Sequence, residues 1–111
     1  MRRIGVETFY QNNFSAVTEI IAPADNTDGV IIRTASITTG TTTLGAIMAK
    51  TSAPSSHADA TAHHILDMLG SDGAHLLEEI ELPAGMGLYA DFEASSADLV
   101  CSVTWDHKEN L

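Results

Sequence analysis

The sequence predicts an all-β fold: an antiparallel β-sandwich or jelly roll of seven to eight short strands. Three observations carry this. Apolar and polar residues alternate in the last third of the chain, which is the period of a half-buried strand. The runs of the first half are rich in β-branched residues. Clusters of Pro, Gly, Asn, Asp and Ser punctuate the chain about every 8 to 12 residues, the spacing of turns in sandwiches and barrels. At 111 residues and 44% apolar composition the chain fits one globular domain.

The elements follow in chain order. Val6 to Tyr10 is expected as an edge strand or as part of an extended N-terminal arm, so residues 1–13 are set apart from a single β domain spanning 14–111. Phe14 to Ala22 and Val30 to Thr38 read as two strands of a hairpin, separated by the turn-rich Pro23-Ala24-Asp25-Asn26-Thr27-Asp28-Gly29. Thr41 to Lys50 reads as a weaker strand that Gly45 interrupts. Thr51-Ser52-Ala53-Pro54-Ser55-Ser56 is expected as a surface crossover between the two halves.

His63 to Leu69 reads as a strand ending in the turn Gly70-Ser71-Asp72-Gly73. A helix over Ala58 to Leu69 stays the alternative, since Ala62, Ile65, Leu66 and Leu69 also fit helical spacing and Gly70 would cap it. The short regular spacing of the flanking turns favours the strand. His75 to Leu82, then Leu88 to Glu93, then Leu99 to Trp105 are expected as a three-stranded meander, with Pro83-Ala84-Gly85-Met86-Gly87 and Ala94-Ser95-Ser96-Ala97 as its turns. In the last strand Leu99, Cys101, Val103 and Trp105 form the apolar face.

Charge narrows the partners. The net charge is −10, and only Arg2, Arg3, Arg33, Lys50 and Lys108 are basic. Phosphate contacts need clustered Lys and Arg, so DNA and RNA are not expected partners. No apolar run is long enough for a membrane span, and the start lacks the apolar stretch of a signal peptide. Residues 1–50 balance four bases against four acids, whereas residues 51–107 hold ten acids and no Lys or Arg. The charge-balanced half, with Arg2, Arg3, Arg33 and Lys50, is therefore the expected attachment surface of an assembly. A domain of this size leaves much of its surface exposed, so burial against copies of itself would help it, and a symmetric homo-oligomer is expected.

No catalytic set is evident, and the chain is expected not to be an enzyme and to carry no cofactor. His57, His63, His64 and His75 fall close together in sequence, but His63 and His64 on a strand point to opposite faces and cannot share an ion. Pro83-Ala84-Gly85 resembles the Pro-x-Gly turn of cupins, yet no His-x-His pair with a downstream Glu accompanies it. Cys101 lies inside a strand and is expected to be a buried, inert thiol. Gly85-Met86-Gly87 lacks the third glycine of a phosphate loop.

One arrangement is under electrostatic tension. In a hairpin centred on Gly85, Glu81 lies beside Tyr89 and Glu79 beside Asp91, with Glu93 further along. A cation held by Glu79, Asp91 and Glu93, or a partner's basic residue, would relieve the repulsion. A one-residue shift of register, or salt, would do the same.

The run Ile80-Glu81-Leu82-Pro83-Ala84-Gly85-Met86-Gly87-Leu88-Tyr89, with a final strand ending Val103-Thr104-Trp105-Asp106, resembles the end of small all-β virion proteins of tailed bacteriophages. The run from Ile21 to Ser36 is similar in character. The resemblance implies a head decoration or cement protein, or a small head-fibre or tail component. It also implies symmetric oligomers, other virion proteins as partners, and assembly in the host cytoplasm into the particle. Two other classes are carried beside it. A ligand- or carbohydrate-binding jelly roll would need an aromatic platform drawn from Phe9, Tyr10, Phe14, Tyr89, Phe92 and Trp105. A metal-dependent cupin-like enzyme would need converging His and Glu.

Overall fold

The computed structural model describes residues 4–14, 16–39, 43–70, 73–93 and 96–111. Within them the strands are β1 (Glu7–Phe14), β2 (Thr18–Ile21), β3 (Val30–Thr38), β4 (Thr43–Lys50), β5 (His63–Gly70), β6 (Ala74–His75), β7 (Ile80–Leu82), β8 (Gly87–Phe92) and β9 (Ser96–His107). They form two antiparallel sheets. The first runs β1-β9-β3, with β6 and β7 in succession along the far side of β3; the second runs β2-β8-β4-β5. Partners nest along the chain, β1 with β9, β2 with β8, β3 with β6 and β7, and β4 with β5. This is one long hairpin rolled up until β9 also meets β3 and β8 also meets β4, which is the jelly-roll arrangement.

The core lies between the sheets. Leu99, Cys101, Val103 and Trp105 of β9 lie beside Val30, Ile32, Ala35 and Ile37 of the neighbouring β3 and pack, from the other sheet, against Ile47, Leu88, Ala90 and Phe92 in one apolar cluster. The expected inner face of the last strand is thus present, and Trp105 is only 8% exposed. Gly45 does not weaken β4. It pairs with Phe92, and a Cβ there would collide with the Phe92 ring. The missing side chain makes room for that ring, whose centroid sits 4.9 Å from Phe14 in an edge-to-face contact.

Most strands are where the sequence places them, but the strand expected over Phe14 to Ala22 is shorter: Phe14 ends β1, and β2 covers only Thr18–Ile21. His63 to Leu69 lies in β5, and residues 58–62 are turn rather than helix. The expected pairings of the strands need correction. β2 and β3 lie in different sheets, and so do β7 and β8, and β8 and β9. Each expected hairpin is instead an arch that carries the chain from one sheet to the other. Alternation reports that one face of a strand is buried and says nothing of which strand lies beside it. The stretch from His75 to Leu82 is also two short strands, β6 and β7, rather than one. Residues 51–62 do not cross between halves. They join the neighbours β4 and β5 and fold back over the outer face of the second sheet, and are called the strap below.

At one end of the sandwich two arches are fastened by Asn26, which is 1% exposed. Its Nδ2 donates to the carbonyls of Pro83, at 2.7 Å, and Met86, at 2.9 Å. Its Oδ1 accepts from the backbone N–H of Gly29 at 2.9 Å, and its own carbonyl accepts from Gly85 N–H at 2.8 Å. Gly29 holds φ of +102°, which other residues rarely adopt, so the turn returning the chain to β3 depends on glycine. The two segments that carry the virion-protein resemblance, 21–36 and 80–89, therefore meet in space, through the pairing of β3 with β7 and through this buried amide.

Candidate interaction surface

The acidic trio comes apart. Because β7 and β8 belong to different sheets, Glu79 and Asp91 are not cross-strand neighbours, and the repulsion inferred from a hairpin does not arise. Asp91 pairs with Ala46 of β4 and is buried under the strap, where its Oδ2 accepts the His57 N–H at 2.7 Å. Glu79 precedes β7 and binds Arg33, with Nη1 to Oε2 at 2.8 Å. Glu93 follows β8 and is exposed, its N–H donating to the Leu44 carbonyl. Among the described residues no group of three or more His, Cys, Asp or Glu side chains is gathered as metal ligands would be.

Of the four basic residues expected at an attachment surface, Arg2 and Arg3 lie outside the described residues, and Arg33 and Lys50 belong to different sheets. Arg33 sits at a bulge in β3, where its Nε donates to Asp106 Oδ2 at 2.8 Å in addition to the Glu79 contact. Lys50 belongs to the other sheet and donates to Asp59 Oδ2 at 3.1 Å. Both cations are thus committed to carboxylates of the same chain.

Of the aromatics named as a carbohydrate platform, only Tyr10 is exposed, at 66%; Phe14, Tyr89, Phe92 and Trp105 are buried and Phe9 is half-buried. Burial pushes the Tyr89 hydroxyl up from its ordinary value, and neighbouring Glu19 adds to this. Cys101 is fully buried, and loss of water pushes its thiol up to about 12.

Two features emerge in place of the expected sites. The first is the polar lacing of the strap. Asp59, a buried residue, accepts from Ser55 N–H and Lys50 through Oδ2, and from the N–H and hydroxyl of Thr61 through Oδ1. The bonds from Thr61 and Ser55, more than the Lys50 ammonium, hold this carboxyl far below the usual carboxylate range. His64 bridges the strap to β5, touching Asp67 at 2.7 Å and the Asp59 carbonyl at 2.9 Å. Beneath them Ala62 of the strap packs on Ala46 and Met48. Asp-x-Thr beside a Ser-rich loop is the local signal of such a turn, and it lies just beyond the expected crossover of Thr51 to Ser56.

The second feature is the open side of the sandwich, between the edge strand β5 of one sheet and β6 and β7 of the other. There the sheets splay around two adjoining depressions of about 240 Å³ and 490 Å³ that share Ile65 and Ile80. Leu82 and Met86 extend the apolar floor on one side, and Leu77, 74% exposed, stands at the other. Two of the three carboxylates that line it are matched in place, Glu79 by Arg33 and Glu81 by Lys108 at 3.0 Å, while Glu78 is exposed. An otherwise strongly acidic molecule has here a side that is apolar and largely neutralised.

No family model, curated protein or solved structure matches the chain. The fold and its surfaces define the chain as an all-β sandwich with jelly-roll strand order and one open apolar side.

Proposed function

We propose that the chain is a non-enzymatic structural subunit of a phage or phage-like particle, a head decoration or cement protein or a small fibre or tail component, and that it works by associating with copies of itself. The observation that carries this reading is the open side just described. Leu77, Ile65 and Ile80 leave apolar surface in water beside an eight-residue strand, β5, that among the described residues has a strand partner on one side only. Such an edge is a template for pairing with another strand.

The occupant of this side is a second copy of the chain. Two molecules carrying ten net negative charges each repel at most orientations. The side on which Glu79 and Glu81 already have Arg33 and Lys108 as partners offers less of that repulsion. A twofold contact of β5 against β5 would be isologous and would bury the same apolar residues from both copies. The jelly-roll strand order and the virion-protein resemblance of residues 21–36 and 80–89 support the particle as its place of work.

Two measurements test the reading together. Light scattering of the purified chain is expected to give a mass above 11.8 kDa at micromolar concentration. Mass spectrometry of gradient-purified particles from the host that carries this chain is expected to find it there in stoichiometric amounts. A monomer at all concentrations, or particles free of the chain, would overturn it.

A further inference from the structure

The two ring nitrogens of His64 both face atoms that can only accept a hydrogen bond. Nδ1 lies 2.7 Å from the carboxylate oxygen Oδ1 of Asp67, and Nε2 lies 2.9 Å from the backbone carbonyl oxygen of Asp59. A neutral imidazole carries one N–H and one lone pair, so it can satisfy one of these contacts and must turn a lone pair on the other. Only the doubly protonated ring donates to both. We infer that His64 is a proton-dependent clasp, whose imidazolium fastens the strap to β5 and whose neutral form releases one of the two ties.

The surroundings act in the same direction. From its own strand His64 faces Asp67, and from the strap it faces Asp59, whose carboxylate stays charged throughout the working range. From β4 its cross-strand neighbour is the uncharged Met48, while Lys50 further along is bound to Asp59. From β8 the nearest carboxylate is Asp91, which holds the strap at His57. Two carboxylates against one ammonium favour a cationic ring. The bond to Asp67, then the bond to Asp59, raise the His64 pKa above its ordinary value, and partial burial opposes them. A raised folded value means that the stabilisation is complete below the ordinary histidine range and is lost as pH rises through the folded value. Beneath the strap lie Ala46 and Met48, packed on Ala62, and Asp91, bound by the His57 N–H, so the clasp governs access to this part of the outer face of the second sheet. This device is independent of the proposed self-association, which uses the opposite, open side of β5.

Hydrogen exchange of the folded chain between pH 6 and pH 9, corrected for the intrinsic rate, reads the strap directly. Protection of residues 51–62 is expected to fall about tenfold across the titration, the scale of one charge-assisted bond, while β9 keeps its protection. In His64→Gln, strap protection is expected to be flat with pH. In Asp67→Asn, the histidine titration followed by nitrogen NMR is expected to move down towards the ordinary value. Strap protection that ignores pH in the parent, or that keeps its pH dependence in His64→Gln, would overturn the clasp. If His64→Gln does not fold, an unmoved titration in Asp67→Asn would overturn it alone.

Discussion

Replacing Asn26 by alanine is expected to cost about 2–4 kcal/mol, because one side chain closes both arches at that end of the sandwich. The amide makes three strong contacts, to the carbonyls of Pro83 and Met86 and from the N–H of Gly29. A typical net contribution is about 0.5–1.5 kcal/mol per bond, and a buried group left without a partner costs about 1–3 kcal/mol. Three bonds at the middle of the lower range, with part of the orphaned groups reached by water after relaxation, give the stated sum. The backbone bond from Gly85 to the Asn26 carbonyl survives the substitution, which keeps the estimate below the full sum of the penalties. For a domain near 100 residues this corresponds to a fall in Tm of roughly 10–25 °C. Thermal unfolding followed by Trp105 fluorescence measures it. Asn26→Asp should be at least as damaging at neutral pH, since it loses both donors and sets an anion against two carbonyls. A loss under about 0.5 kcal/mol in Asn26→Ala would refute the view that the arches are fastened there.

Asp59→Asn should loosen the strap and leave the core intact. The wild-type carboxyl has a depressed pKa in the folded chain, so its contribution is present above the ordinary carboxylate value and is lost as pH falls towards the folded one. Unfolding curves at pH 5 and pH 3 should therefore show the wild type losing more stability than the variant, and equal losses would contradict the role given to Asp59. Cys101, with its thiol pushed up to about 12, should react with a disulfide reagent at pH 8 more than about a thousandfold slower in the folded chain than in denaturant. Equal rates would mean that β9 does not hold it in the core.

Much of the fold was legible because β sequences announce burial directly. Leu99, Cys101, Val103 and Trp105 alternate with polar neighbours and do form one inner face. The pairing of strands was not legible. The turns at 23–29 and 83–87 suit a hairpin or an arch equally by composition, and what distinguishes them here is Asn26 reaching across from one to the other. The candidate site inherited that ambiguity, since setting Glu79 beside Asp91 presupposed a hairpin. In β8 the alternation of Leu88, Ala90 and Phe92 with Tyr89 and Asp91 suggested a wet outer face, yet all five residues are buried. Leu88, Ala90 and Phe92 face the core, and the strap that covers Asp91 on the other face lies some thirty residues earlier in the chain, as the 34-residue separation of His57 and Asp91 shows. No local pattern encodes such a cover. The same holds for Arg33, whose partners Glu79 and Asp106 stand 46 and 73 residues away.

The central claim is that the open side between β5 and β7 buries itself against a second copy, and sedimentation equilibrium of the wild type beside Leu77→Glu tests it most directly. Leu77 is 74% exposed, and burying a leucine fully yields about 1.5–3 kcal/mol, so covering this one contributes roughly 1–2 kcal/mol. A twofold contact counts it twice, and at about 1.4 kcal/mol per tenfold its loss weakens dimerisation by roughly 30-fold to 1,000-fold, with the added charge acting in the same direction. The account predicts a wild-type dimer or higher symmetric oligomer at micromolar concentration and a folded, monomeric Leu77→Glu. A wild type that stays monomeric, or a variant that associates as tightly as the wild type, would contradict it.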